Sequence, residues 1–250
     1  MRRLTRLALI LSVGAVVAAL IAALGSGQGI WHFRIGFTIL RYAFFAAIAG
    51  GLAALVALVL ARRAKGAKLA GLNLVALVLS LGFVLYLGAQ IRTARTVPAI
   101  HDAATNLEDL PQFSALKVRE DNLEKIPDND DPRLKALDPK SRWKAIHRQA
   151  YGDLRTIRVP WAPVETIRRA EGLARERGWE LAKADPAAGT LEATETSLFF
   201  RFKDDVVLRA RPDGQGGSLV DMRSISRIGG SDVGMNAKRI RAFLKDLQQS

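Results

Sequence analysis

The sequence predicts an α+β protein in two parts: three N-terminal transmembrane helices, then an antiparallel sheet domain with helices packed on it. Three observations carry this. Three uncharged apolar runs of bilayer-spanning length crowd the first 97 residues. Residues 1–97 hold eleven Lys and Arg and no Asp or Glu, whereas every acidic residue lies in 98–250, so the net charge of +13 divides as +11 and +2. The last hundred residues alternate apolar and polar positions in short stretches separated by turn residues, with helix-period segments among them.

Residues 7–24 form the first run, preceded by Arg2, Arg3 and Arg6. Ala22-Ala23-Leu24-Gly25 offers a signal-cleavage alternative, but the run exceeds the ~7–15 residues of a secretory core and two more candidates follow it. Residues 42–61 are the second, closed by Arg62, Arg63, Lys65 and Lys68, and 69–91 the third, interrupted by Asn73 and Ser80, which a neighbouring helix can satisfy. Gly50-Gly51 suits close approach between helices. Between the first two runs, 25–41 reads as an interfacial loop with Trp31, Phe33 and Phe37, and His32 as an interfacial side chain. Apart from tyrosine no ionisable residue lies inside the spans, which disfavours a transporter or channel.

The basic clusters at the N-terminus and after the second span belong on the cytoplasmic side by the positive-inside rule. For a bacterial inner membrane, three crossings then place everything after Ile91 in the periplasm. The charge split also answers the pI of about 10.6. A nucleic-acid binder carries its excess charge on the folded domain, and here that excess flanks apolar runs, so the partner is the lipid bilayer and not nucleic acid. Without Cys there is no disulfide, thiolate metal site or cysteine nucleophile.

Residues 98–150, with five prolines and the acidic run 128–131, read as a connecting segment that packs in part on the domain. Phe113, Leu116 and Val118 suggest a short strand or arm, and Trp143 with Ile146 a short helical turn. The acidic run lacks the glycine and distal glutamate of a calcium loop and reads as a solvated turn; His147 reads as an exposed, unpartnered histidine.

In the domain, 151–250, a strand at 153–159 is stopped by Pro160-Trp161-Ala162-Pro163. A helix follows with Val164, Ile167, Ala170, Leu173 and Ala174 on one face and Gly178 as its C-cap. Strands at 179–184, 189–197, 203–211 and 218–225 lead to a closing helix at 236–247. This β-α-β4-α order suits a sheet with helices on one face, of the helix-grip or TATA-binding-protein-like kind. Strand parity in the last hairpin favours Leu208 opposite Met222. That register turns Val206, Leu208, Ala210, Val220, Met222 and Ser224 toward the helices and Asp205, Arg209, Arg211, Asp221, Arg223 and Ile225 toward the open face, with Glu192 and Arg158 added from other strands.

Those open-face residues, with Arg227, Ser231, Asp232 and Arg239 beyond them, make the candidate surface for a ligand or partner: Asp205, Arg209, Asp221, Arg223, Arg227, Ser231, Asp232 and Arg239. An ion-pair ladder is the competing reading of the sheet residues. For the turn 229–232, helix capping by Ser231 or Asp232 competes with anion binding.

Trp179-Glu180, Gly189-Thr190-Leu191-Glu192-Ala193-Thr194, Phe202-Lys203-Asp204-Asp205-Val206-Val207, Asp221-Met222-Arg223-Ser224-Ile225-Ser226-Arg227 and the stretch 231–240 resemble the domain-of-unknown-function family 1499. The resemblance covers 98–250, and Val97-Pro98-Ala99-Ile100-His101-Asp102 is similar to proteobacterial members that carry N-terminal membrane helices. Family members often begin the domain with a cysteine-containing segment that this chain lacks. The resemblance implies no activity, cofactor or catalytic residue. The residues favour a non-catalytic periplasmic domain that binds an envelope lipid or protein. There is no nucleophile elbow or metal-ligand motif, and His147, the nearest histidine, lies far upstream of Ser224 and Ser226. The alternatives are an envelope enzyme with a polar site drawing on Ser224, Ser226, Asp204, Asp205 and Asp221, or a structural subunit of a membrane complex. The topology predicts that alkaline phosphatase fused at the C-terminus is active and a cytoplasm-only fluorescent reporter dark; the reverse pattern sinks it.

Overall fold

A computed structural model describes residues 1–249. The chain divides into two compact units, Met1–Thr93 with Leu198–Arg201, and Ala94–Ser197 with Phe202–Ser250.

The first unit is built from α1 (Arg2–Gly27), α2 (Phe33–Arg63) and α3 (Ala67–Thr96), each long and apolar enough to cross a membrane. Their packing inverts that of a water-soluble bundle. Small residues face inward, among them Ala8, Ser12, Ala15 and Ala22 of α1 and Ala43, Ala47, Gly50 and Ala54 of α2. Large apolar side chains such as Ile10, Leu52, Val78 and Leu85 face outward. In lipid there is no hydrophobic drive between helices, so close backbone approach and polar bonds hold them together. Ser80 Oγ donates to Ser12 Oγ at 2.8 Å, and Asn73 Nδ2 to Thr5 Oγ1 at 3.1 Å, the cross-helix partner expected for a lone asparagine. A Cβ on Gly50 would lie 2.9 Å from Ser12 Oγ and 3.0 Å from Leu11 Cβ. Phe200 packs against Phe37, ring centroids 5.0 Å apart.

The stretch 25–41 is not a loop throughout. Helix α2 begins at Phe33, its opening amide on Arg34 capped by His32 Nδ1, and the indole of Trp31 reaches back to Ala22 O at 3.3 Å. Phe33, Arg34, Phe37 and Arg41, which suggested an interfacial loop, belong instead to the opening turns of α2, and Trp31 lies just before it.

The second unit is an antiparallel sheet with helices. It contains β1 (Asp102–Ala104), α4 (Pro132–Lys135), α5 (Pro139–Tyr151), β2 (Ile157–Val159), α6 (Pro163–Glu176), β3 (Glu180–Asp185), β4 (Thr190–Thr196), β5 (Lys203–Pro212), β6 (Ser218–Ser226) and α7 (Met235–Gln249). The strand order is β1-β6-β5-β4-β3, with β2 also on β6. Thus β6 pairs along its whole length with β5, while its other edge is divided: β2 takes Ser218–Val220 and β1 takes Arg223–Ile225.

The expected register holds, Leu208 opposite Met222 and Arg209 opposite Asp221. Leu191, Ala193, Val206, Leu208, Ala210, Val220 and Met222 form one core with Ile167, Ala170 and Ala174 of α6 and Ile240, Phe243, Leu244 and Leu247 of α7. Trp179 stacks on Phe243 at 4.9 Å. Helix α6 ends where Gly178 (φ +71°) adopts the left-handed conformation, its amide bonding Arg175 O while the Trp179 amide reaches Ala174 O, a Schellman closure.

Two expectations are corrected. Residues 98–150 contribute a strand, the short α4 and a 13-residue helix. Asp138 caps α5 by accepting from the Lys140 and Ser141 amides, and Pro139 opens it, so proline here starts a helix rather than preventing one. Strand β2 is confined to Ile157–Val159, because α5 runs to Tyr151 and the Leu154 amide closes a turn onto Tyr151 O. Of the two forms expected for Phe113, Leu116 and Val118, a short strand or an arm, the structure shows the irregular arm.

Replacing Gly50 by Ile forces α1 and α2 apart and lowers the aggregation temperature of the detergent-solubilised protein by several degrees. Gly71→Ile, at a position with open space around it, leaves that temperature within a degree or two; equal effects of the two variants contradict the packing described.

Candidate functional site

Strand β6 sets the site, since its alternate residues Asp221 and Arg223 point away from the helices. Asp221 falls in the gap between β1 and β2 and is fully buried. Thr105, one residue past β1, donates to its Oδ1 at 3.3 Å, and Thr156, one residue before β2, at 2.5 Å. Arg209 and Arg211 of β5 donate to Oδ2 at 3.0 and 2.7 Å. Both guanidinium groups also reach Asp109, Arg209 through two bonds of 3.1 and 3.0 Å. Two arginines are therefore clamped between two carboxylates, and the cluster is neutral. The hydrogen bond and charge of Arg209, aided by Arg211, hold the Asp109 carboxyl below its usual range.

Asp109 belongs to the arm, 105–122, which covers the face expected to be open. From Thr105 at β6 the arm passes over β5 at Asp109 and reaches β4, where Glu192 receives it. The amides of Ser114, Ala115 and Leu116 donate to the Glu192 carboxylate at 2.7–3.1 Å, and Ser114 Oγ at 2.6 Å. Burial raises the Glu192 pKa, but the Ser114 hydroxyl and the three amides outweigh it and the net shift is downward. The arm then returns to β1, where Asn122 Nδ2 donates to Asp102 Oδ2 at 2.7 Å.

The remaining predicted residues do not converge on one surface. Arg223 forms a buried two-pronged pair with Asp102, at 3.1 and 2.7 Å. Asp205 is held by Arg227 and by Thr194 Oγ1 at 2.7 Å. Arg239 projects from α7 and bonds Asp204 at 2.6 Å, Ser224 Oγ at 2.9 Å, Glu195 and Asn236. Ser224 in turn donates to Asn236 Oδ1 at 2.6 Å, and Asn236 Nδ2 to Ser226 Oγ at 3.0 Å. Asp232 caps α7, accepting from the Gly234 and Asn236 amides, whereas Ser231 Oγ accepts from the Val233 amide and closes only the turn before the helix. Burial lifts the Asp232 carboxyl above its usual value against the pull of those amides. Arg158 sits on the surface beside Asp213 at 3.1 Å.

The sequence did not point to helix α5 beside β1. Strand β1 faces β6 through His101 and Thr105, whose backbone groups bond Ser226 and Met222. The alternate groups of Asp102 and Ala104 point to the free edge, and two side chains one helical turn apart satisfy them. Trp143 Nε1 donates to Asp102 O at 2.9 Å, and His147 Nε2 accepts from the Ala104 amide at 3.1 Å. His147 is thus buried and partnered, not exposed. Burial pushes it down to about 4, offset only in part by Asp102 and Asp153, and burial pushes Tyr151 up to about 12. The spacing of Trp143, Ile146, His147 and Tyr151 behind Asp138-Pro139 was the available signal for this buried face.

Among the described residues, no group of three or more His, Asp or Glu comes together as a metal site. A family model described as a protein of unknown function (DUF1499) matches residues 102–247. The chain belongs to that family. The DUF1499 match opens on the first residue of β1 and closes on Leu247, a core residue of α7, so it takes in the arm and α5 together with the sheet. No curated protein and no solved structure matches the chain.

His147 accepts a proton more readily in the unfolded chain (about 6.5) than in the folded one, so its contribution to stability is complete above pH 6.5 and is lost as pH falls toward 4. Between pH 7 and 5 that amounts to about 2 kcal/mol. In chemical unfolding of the full-length protein, His147→Gln should flatten this part of the pH profile; an unchanged slope argues against a neutral, accepting His147.

Proposed function

We propose that the three helices anchor the chain in a bacterial inner membrane with a cytoplasmic N-terminus, and that the second unit is a non-catalytic periplasmic module that binds an envelope component. The observation that carries the non-catalytic part is the mutual saturation of the polar groups an enzyme would need. Ser224 and Ser226 are tied into the Asn236–Arg239 network, Asp204 is paired with Arg239, Asp205 with Arg227, and Asp221 is held by two arginines and two threonines. A general base or nucleophile must reach substrate with its reacting atom available, and these atoms are committed to one another. The anchoring part rests on the outward-facing large apolar side chains of α1, α2 and α3 and on the basic residues that flank them.

The module retains its surface for recognition beyond the saturated face. Lys117 and Arg119 of the arm, with the Asp205-paired Arg227 that follows β6, edge a hollow of about 160 Å³ that also includes Phe113 and Ile225. Such a mixture of cationic and apolar groups fits an amphipathic envelope component better than a small polar substrate.

Mass spectrometry of lipids retained by the detergent-purified full-length protein tests the reading. One lipid species should be enriched well above its share of the host membrane, at about one per chain. Retention that mirrors bulk membrane composition, together with capture of one defined protein partner, moves the assignment to a structural subunit of a complex.

A further inference from the structure

We propose that the loop joining β4 to β5 inserts Leu198 and Phe199 into the bilayer, at the boundary between headgroups and acyl chains. The inference rests on α1, α2 and α3 lying in a membrane and not on the binding function proposed above. The loop reads Ser197-Leu198-Phe199-Phe200-Arg201-Phe202. It is closed tightly: the Ser197 amide donates to Phe202 O at 2.8 Å, and Ser197 Oγ accepts from the Phe202 amide at 2.8 Å. Hairpin tips in water favour Gly, Asn and Asp. This one has none of them, and Arg201 takes the left-handed backbone (φ +55°) that a glycine ordinarily supplies. Leu198 is 80% exposed and Phe199 48%.

The tip, Leu198–Arg201, belongs to the compact unit of the three helices. Two glycines make its seat. A Cβ on Gly27 would lie 2.6 Å from Arg201 Cγ and 2.8 Å from Phe199 O, and one on Gly36 would lie 3.0 Å from Phe200 Cε1. The ring of Phe200 packs on Phe37. Phe200 and Arg201 thus fix the tip on the turn between α1 and α2, and Leu198 and Phe199 are left facing outward.

The level of that seat identifies what they face. From Arg6, the last charge before the first apolar run, to Gly27 helix α1 rises about 30 Å, the thickness of a bilayer's hydrocarbon core. The outward surface there continues the lipid-facing side chains of the helices through Ile21, Leu24 and Ile35, each about half exposed. Aromatic rings and arginines are at home at this depth, where apolar groups meet acyl chains and guanidinium groups meet lipid phosphates. Arg34, Arg41 and Arg201 are exposed, and residues 1–97 offer them no carboxylate. The boundary also suits a loop. Its side chains enter the apolar layer while its backbone stays among headgroups and water, since irregular backbone is not tolerated in hydrocarbon.

The absence of cysteine allows a nitroxide to be placed at one position at a time. Leu198→Cys and Phe199→Cys are labelled in the full-length protein and reconstituted into vesicles of phosphatidylethanolamine and phosphatidylglycerol. Leu85→Cys, on the outward face of α3, serves as the lipid reference, and Ala187→Cys, in the exposed turn at the other end of β4, as the water reference. Power saturation in electron spin resonance compares collisions with oxygen, which concentrates among acyl chains, and with a water-borne nickel chelate. Oxygen should exceed the chelate at 198 and 199, as at 85, with the order reversed at 187. A chelate-dominated label at 198 and 199 overturns the insertion. So does protection from both reagents, the signature of a covering protein or a second copy of the chain. A chelate-dominated label at 85 refutes the membrane anchor itself, whereas an oxygen-dominated 85 beside a chelate-dominated 198 removes only the inserted loop.

Discussion

The domain is arranged around one buried anion. Asp221 lies at the middle of β6, where the strand's second edge passes from β2 to β1, and a carboxylate there is tolerable only if every lone pair is met. Thr105 and Thr156 supply hydroxyls from the two flanking strands, and Arg209 with Arg211 supply charge from β5. These four partners come from three separate stretches of chain, so the carboxylate fixes how the divided edge closes. The arginines then carry more charge than Asp221 alone can offset, and Asp109 brings the arm down onto the sheet to complete the balance.

From that follows the closed character of the outer face. Antiparallel sheets commonly leave one face to water, and the polar outer residues of β4, β5 and β6 suggest such a face. Here the arm stands in place of water. It offers backbone amides to Glu192 and carboxylates to Arg209 and Arg211, and Asp102 of the adjoining strand takes Arg223. Glu192 illustrates the gain: three successive amides in irregular chain would otherwise need water, and one carboxylate satisfies them all. Helix α5 solves the corresponding problem at the β1 edge with an indole and an imidazole, which also protects that edge from pairing with another chain.

The two units follow opposite packing rules because they meet different solvents. In the helices, small residues and cross-helix hydroxyl and amide bonds make the contacts while large apolar side chains face outward. In the sheet domain, large apolar side chains meet inside and the charges lie outside or in paired clusters. The uneven distribution of acidic residues along the chain is the compositional trace of this division.

The sequence by itself determined whatever depends on local periodicity: the three spans, the helical stripes of α6 and α7, the four long strands, and the β5–β6 register, since a one-residue slip would have turned Leu208 and Met222 to the wrong face. The family resemblance from Trp179 to Ile240 rests on the residue runs themselves and not on periodicity. Only the tertiary structure decided where the charges go. Asp109 and Arg209 are a hundred positions apart, as are Asp102 and Arg223 to within a few tens, and such pairings carry no periodic signal. The arm, with neither helical nor strand repeat, left no trace of the face it covers. His147 shows the limit most plainly: the sequence suggested only a short helical turn at Trp143 and Ile146, and the burial and neutral, accepting state of His147 depend on a three-residue strand whose existence is set by pairing with β6.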